Sequence, residues 1–254
     1  MIKAERQDHI KRIVEEHGSA SVHDIASRLE VSEMTVRRDL MEMSDAGELE
    51  RVHGGARRAG GKRSSMLRHE YSHTEKRGRH AEEKRAIAER AARLIEPDST
   101  VFLGAGTTVE AMVPLLPACH LRVVTNSLSV FNMLAAKEAY ELCLIGGAYR
   151  PRTAAFVGPL AEEAIEKLGL DMAFIGANGI FEGNAFTSNA DEGRFQKLAF
   201  DKADVRYLLA DASKVGRRDF YAFYHLIELD ALICDKRVTG GDQASIEDLI
   251  EILV

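Results

Sequence analysis

From about residue 82 onward, short continuous apolar runs alternate with amphipathic helical stretches. This alternation constrains the fold of the 254-residue chain more than any other feature. The runs Thr100–Leu103, Leu121–Thr125, 142–145, 172–175, 207–210 and 231–234 are of strand length and predominantly apolar, with Arg122 their one charge. Between several of them, the stretches 82–95, 160–168 and 192–202 carry apolar residues at helical spacing. A strand apolar on both faces needs cover on both sides. The pattern therefore predicts an α/β fold, a parallel sheet doubly wrapped by helices. No internal repeat or low-complexity tract interrupts it.

The first segment has a different rhythm and predicts three short helices. Ile2, Ile10, Ile13 and Val14 form one apolar stripe, closed by Gly18. Ser21 opens a second helix, with Asp24 as its capping-box partner and Val22, Ile25, Ala26 and Leu29 as its stripe. After the tight connection Glu30-Val31, Ser32 is a good N-cap for a third helix running to about residue 46 and closed by Gly47. Met34, Val36, Leu40 and Met43 are expected to face inward on it. Two helices joined by so short a turn are the signature of a helix-turn-helix. Leu49, Val52 and the paired glycines 54 and 55 then suggest a small β-hairpin, a wing. The expected organisation is a winged helix-turn-helix over 1–57, a flexible basic linker over 58–80 and the α/β domain over 81–254.

Charge supports that division. The net charge of −6 hides a gradient: residues 1–85 hold 18 Lys/Arg against 16 Asp/Glu, and the rest hold 16 against 24. Residues 51–80 alone carry nine Lys/Arg and two Asp/Glu. Such asymmetry points to nucleic-acid contact, although a solvated linker explains the same charges. No apolar run approaches the roughly 20 residues of a membrane span. The charged N-terminus has no apolar leader core, so a cytoplasmic location is expected. Cys119, Cys143 and Cys234 are odd in number and widely spaced, which argues for buried free thiols rather than disulfides or a zinc site.

Thr35, Arg37 and Arg38 lie on the polar side of the third helix, where a recognition helix needs polar groups for base edges and cations for phosphate. Either arginine can fork onto guanine or pair with a phosphate; a plain surface helix would carry them too. In the second domain, Gly104-Ala105-Gly106-Thr107-Thr108 follows directly on a strand. The glycines let the backbone approach an anion, and the threonines add donors. It has neither the Gly-Lys-Ser/Thr of a Walker loop nor the third glycine of a dinucleotide fingerprint. Polar or glycine-rich turns also follow other strands, at 125–127, 146–147, 176–179 and 211–214. In an open parallel sheet such turns converge at the carboxyl ends of the strands, where ligands collect. Lys214 and Arg150 are the cations best placed to hold a phosphate. Glu192 and Lys197 belong either to the pocket or to a charged helix face. The aromatic run 220–224 is expected to be a core cluster or a subunit interface.

Together these residues resemble the DeoR family of bacterial sugar-metabolism repressors. The likeness rests on Val31-Ser-Glu-Met-Thr-Val-Arg-Arg-Asp-Leu40 and Arg51-Val-His-Gly-Gly-Ala56, which are specific. Gly106-Thr-Thr108, Thr125-Asn-Ser127, Gly146-Gly147 and Asp211-x-Ser-Lys214 follow in the family's order. The resemblance implies a winged helix-turn-helix joined to a sensor domain similar to sugar-phosphate isomerases. It implies double-stranded operator DNA as one partner, met by Ser32, Thr35, Arg37, Arg38, Arg51 and His53. It also implies a phosphorylated sugar as effector, met by Gly104, Gly106, Thr107, Thr108, Asn126, Gly147, Arg150, Asn178, Glu192, Lys197, Asp211 and Lys214. Segments 219–226 and 126–132 look like the lactose phosphotransferase branch of the family, which is associated with tagatose 6-phosphate; 191–197 follows that pattern only loosely.

On this reading the chain is a repressor without catalytic residues, cofactor or metal. One recognition helix per chain implies a homodimer or homotetramer, because operator half-sites lie roughly 34 Å apart. Two rivals share the architecture. An activator differs only in where its operator lies. A sugar-phosphate isomerase with a DNA-binding appendage would use Glu192 and Asp211 as acid and base.

Overall fold

The computed structural model describes residues 3–52, 54–58, 71–235, 246 and 248–254. Ile2, His53 and residues 59–70 of the expected linker lie outside them. The chain divides into two compact units, Met1–Arg68 and His69–Val254.

In the first unit, helix α1 (Lys3–His17) leads into strand β1 (Ser19–Ser21), α2 (Val22–Leu29), α3 (Glu33–Asp45) and the hairpin of β2 (Leu49–Val52) and β3 (Gly55–Arg58). Two serines set the helix starts. Ser21 accepts the Asp24 backbone N–H at 3.0 Å and Ser32 accepts that of Thr35 at 3.2 Å, satisfying donors that the helices leave unpaired. Between them, Glu30 adopts a left-handed conformation with φ 51°, which stops α2 and turns the chain into α3. Strand β3 pairs antiparallel with both β1 and β2. Only glycine fits at 55, because a Cβ there would lie 2.2 Å from the Ala20 carbonyl oxygen.

Ile10, Val14, Ile25, Val36, Leu40, Met43 and Leu49 make the small core of this unit. A buried ion pair crosses it: Arg6 of α1 grips both carboxylate oxygens of Asp39 on α3, with Nη2 donating to Oδ1 at 3.1 Å. Asp39 has no exposed surface. The expectation that Met34 faces inward is overturned, since it is 78% exposed. Val36, Leu40 and Met43 form the buried stripe, and position 34 falls on the opposite side of the helix.

The second unit begins with α4 (His73–Arg77) and α5 (Ala81–Ala92), then β4 (Thr100–Leu103), α6 (Thr107–Met112), β5 (Leu121–Thr125), α7 (Leu128–Leu134) and β6 (Tyr140–Leu144). Next come β7 (Ala148–Arg150), β8 (Ala155–Val157), α8 (Pro159–Glu166), β9 (Leu170–Gly176), β10 (Gly179–Phe181), β11 (Asn184–Thr187), α9 (Ala190–Asp201) and β12 (Ala203–Leu209). The described part ends with β13 (Tyr221–His225), β14 (Ala231–Ile233) and β15 (Glu251–Leu253).

Seven strands form one parallel sheet in the order β15-β14-β12-β9-β4-β5-β6. Side chains alternate across it. Val101 and Leu103 join a cluster with Ile87, Val109, Met112 and Val130, under α5, α6 and α7. Phe102 points the other way, into a cluster with Ile165, Phe195, Ala199 and Phe200, under α8 and α9. Both faces are therefore covered, as the continuous apolar runs require.

Three expectations need correction. The end of the supposed linker is structured: Ser72 and Glu75 form a reciprocal capping box that starts α4. Cys143 is exposed rather than buried, because β6 is an edge strand whose outward side chains meet solvent; Cys119 is half-buried and Cys234 buried. The aromatic run divides. Phe223 and Tyr224 pack in the core from β13, part of a small antiparallel sheet β10-β11-β13, while Phe220 is exposed.

Candidate functional site

In the first unit, the caps and the core stripe leave one side of α3 facing outward. Arg37 and Arg38 stand exposed there, beside Arg51 of β2. Arg37 donates to Glu33 at 3.3 Å, one turn back, and His23 lies 3.4 Å from the same carboxylate. Arg37 and then His23 hold the Glu33 carboxyl below its usual range. Met34, Thr35, Arg37, Arg38, Met41 and Arg51 line one shallow depression of about 410 Å³. Ser32 belongs to the helix cap, within 2.9 Å of the Thr35 hydroxyl. This side is therefore a cationic rim around two exposed methionines, the shape and charge of a surface that meets a polyanion.

In the second unit, the sheet order brings the expected turns together. β12, β9 and β4 are neighbours, and their carboxyl ends lead directly into 211–214, 176–179 and 104–108. Gly104 donates its N–H to the Phe174 carbonyl at 3.0 Å, which ties the first turn to β9. Gly106 has φ 152°, in the region that favours glycine, and it starts α6. That helix has only six residues, so the turn offers free backbone N–H groups more than a dipole.

The cations that converge here exceed those foreseen. Lys84 on α5 is buried and donates to the Lys76 carbonyl; Lys76 on α4 donates to the Asn178 side chain at 2.9 Å. Burial, and then repulsion from Lys214, pushes the Lys84 ammonium down to about 8. Burial also pushes Lys214 down, against the pull of Asp211, with Lys76, Arg217 and Arg79 adding repulsion. Asp211 is buried: its Oδ1 accepts the Ser213 N–H at 3.1 Å, while its Oδ2 has no hydrogen-bond partner among the described residues. Several cations thus crowd one carboxylate and lose hydration doing so. An anion entering among them would relieve both costs.

Other expected residues fall around this centre. Asn126, at the end of β5, donates its side-chain N–H to the Phe156 carbonyl at 2.9 Å and so holds β8. Gly147 is required by close approach, since a Cβ would sit 2.8 Å from the Val157 carbonyl oxygen. Glu192, buried at the start of α9, accepts from the Thr153 hydroxyl and lies 3.5 Å from Arg150 Nε. The turn carrying Thr153 is tied to α4, because His73 donates its backbone N–H to the Arg152 carbonyl at 2.9 Å. Lys197 does not join the cluster; it pairs with Asp201 at 2.8 Å on the outer face of α9.

The sequence reading missed Lys76, Lys84, Thr153 and the clasp of α4 on α6. In that clasp His73 and Arg77 both meet the buried Glu110, Arg77 at 3.1 Å. Burial pushes the Glu110 carboxyl up, but the bonds from His73 and Arg77 outweigh it and leave it below its usual range. Lys84 had a legible signal, because it occupies the apolar stripe of Ile87, Ala88 and Ala91. Among the described residues no group of three or more His, Cys, Asp or Glu could hold a metal ion, and no helix is long and apolar enough to cross a membrane.

A capped helix-turn-helix with a cationic outer face, followed by a parallel α/β unit that gathers Lys76, Lys84 and Lys214 at its strand ends, is the architecture of a two-part DNA-binding regulator. Residues 6–60 match the DeoR-like helix-turn-helix domain and residues 79–236 match the DeoR C terminal sensor domain. The chain belongs to the DeoR family, and it is a regulator rather than an enzyme. It is 41% identical to the lactose phosphotransferase system repressor of Streptococcus mutans, over 92% of this chain and 93% of that one. It is 39% identical to the protein of the same name from Staphylococcus epidermidis, over the full length of both. Among solved structures, a D-ribose-5-phosphate isomerase in complex with phospho-erythronic acid is similar at 18% identity and a TM-score of 0.38, covering 53% of each chain. A probable sor operon regulator from Shigella flexneri is similar at 18% identity and 0.34, covering 52% of this chain and 76% of that one. At such scores these two likenesses bear no functional weight.

Proposed function

We propose that this chain represses a sugar-utilisation operon. It holds double-stranded operator DNA through α3 and the wing, and it lets go when a phosphorylated sugar binds the second unit. Thr35, Arg37, Arg38 and Arg51 meet the duplex, with Ser32 capping the helix that presents them; His53 belongs to the same motif. The phosphate sits between the 104–108 turn and Lys214, joined by Lys76 and Lys84. Sugar hydroxyls meet Asn126, Asn178, Glu192 and Asp211. Full-length likeness to lactose phosphotransferase system repressors supports a phosphorylated sugar of that route, tagatose 6-phosphate, as the effector. A homodimer or homotetramer supplies the second recognition helix, and operator binding places the protein in the cytoplasm. The observation that carries the reading is the gathering of buried Lys84, Lys76 and Lys214 with Asn178 and the buried Asp211 at the strand ends.

A thermal-shift panel of phosphorylated and unphosphorylated sugars tests it. Tagatose 6-phosphate at a hundred times its Kd should stabilise the sensor by about 2.7 kcal/mol. Lys214→Ala should lose that shift and the release from DNA, yet bind the operator as the parent does. If no phosphorylated sugar shifts the melting of the parent, the effector half of the proposal fails.

A further inference from the structure

Met34 is the most exposed large apolar side chain among the described residues, and it shares one depression with Arg37, Arg38 and Arg51. Met34, Arg38 and Met41 follow at i, i+4 and i+7, so they form a single outward stripe along α3. Met34 lies in the first turn, and Met41, 48% exposed, closes the stripe two turns later. Neither side chain contributes to the core of the unit. An apolar side chain at the centre of a cationic rim adds nothing to the core of the free unit, and a partner that covers it gains its burial. Its chemistry must be answered by the partner.

Arg37, Arg38 and Arg51 fix the class of that partner as a polyanion. A duplex offers such a helix one apolar feature in its major groove, the 5-methyl group of thymine. The N-terminal turn of a recognition helix is also the part that reaches base edges. We infer that Met34 is a specificity-determining residue that reads the 5-methyl group of a thymine in the operator half-site, while Arg38 beside it supplies the polar or phosphate contact. The inference rests on the operator-binding reading above and adds which chemical group the helix selects. Met41, further along the helix, packs towards the sugar–phosphate wall with Arg51.

The test uses the full chain and a randomised duplex library, from which bound sites are selected and sequenced. The parent should select a half-site with thymine at one position per recognition helix. Replacing that thymine by deoxyuridine, which removes only the methyl group, should weaken parent binding about fourfold, the value of one buried methyl group. Met34→Ala should bind the thymine site about fourfold more weakly, lose the thymine–deoxyuridine difference and melt at the parent's temperature. Met34→Leu should keep the difference. Equal responses of parent and Met34→Ala to every deoxyuridine replacement would overturn the inference and leave operator binding standing. Failure of the parent to select any duplex would overturn both, and that outcome is distinguishable from the first.

Discussion

In the N-terminal unit, Arg37, Arg38 and Arg51 stand in water on the outer face of α3 and the wing. In the C-terminal unit, Lys84 is buried and Lys214 is crowded beside it, both pushed towards the neutral form. On the proposed reading, the same anionic group, phosphate, would meet cations held in opposite conditions. Exposed guanidinium groups keep their hydration, and their attraction is screened by salt. They suit a polyanion, where many weak contacts add. Buried ammonium groups have already lost hydration, so one small anion recovers a large cost. Their charge then depends on pH. If both proposed sites hold phosphate, burial and residue type would decide which partner each surface can take.

The contrast makes predictions of decreasing size. The largest concerns salt. With about six phosphate contacts across a dimer, operator affinity should fall about a thousandfold between roughly 50 and 200 mM salt. Sugar-phosphate affinity should change by less than about tenfold over the same range. Titrations of both ligands in parallel check this, and equal slopes would break the contrast.

The next prediction concerns what holds the exposed surface in place. Asp39→Ala leaves Arg6 buried without its partner, so the N-terminal unit should lose about 3 kcal/mol. In calorimetry its transition should move down while that of the sensor stays. A shared loss would show that the two units do not unfold separately.

The third prediction sharpens the lysine side of the contrast. The folded Lys84 titrates near 8 and the unfolded one near 10.5. Between these values the folded state holds fewer protons than the unfolded state, so the stability of the empty sensor should rise with pH through that window. Effector binding has the opposite sign, because a phosphate needs the charged ammonium. Affinity should drop about tenfold from about pH 7 to pH 9, and binding near pH 8 should take up protons. Calorimetry in buffers of different ionisation enthalpy measures both. An affinity flat across that range would remove Lys84 from the phosphate contacts.

Much of this arrangement was legible in the sequence. The helix-turn-helix was legible because Ser21 and Ser32 are polar caps set directly before apolar stripes. The parallel sheet was legible because strands covered on both faces must be apolar throughout. Errors arose where one residue type serves two ends. Met34 is apolar and so suggests a core position, yet burial on α3 is decided by the positions 36, 40 and 43. Lys84 is charged, yet it holds a core position on α5, where its ammonium donates to the Lys76 carbonyl. Helix α4 lacks an apolar stripe over its five polar residues and so looks like linker, although the spacing of Ser72 and Glu75 announces a capping box. The meeting of Lys76 and Lys84 on α4 and α5 with the turns 176–179 and 211–214 depends on how those helices pack on the strand order β12-β9-β4, and no local pattern carries that information.

The central claim is that operator and sugar phosphate are linked through one molecule, and linkage is reciprocal. The most direct measurement is the affinity of the full chain for tagatose 6-phosphate, with the operator duplex absent and then saturating. The account predicts weaker binding in the presence of the duplex, by the same factor as the sugar phosphate weakens operator binding. An effector affinity that is identical with and without duplex would contradict it.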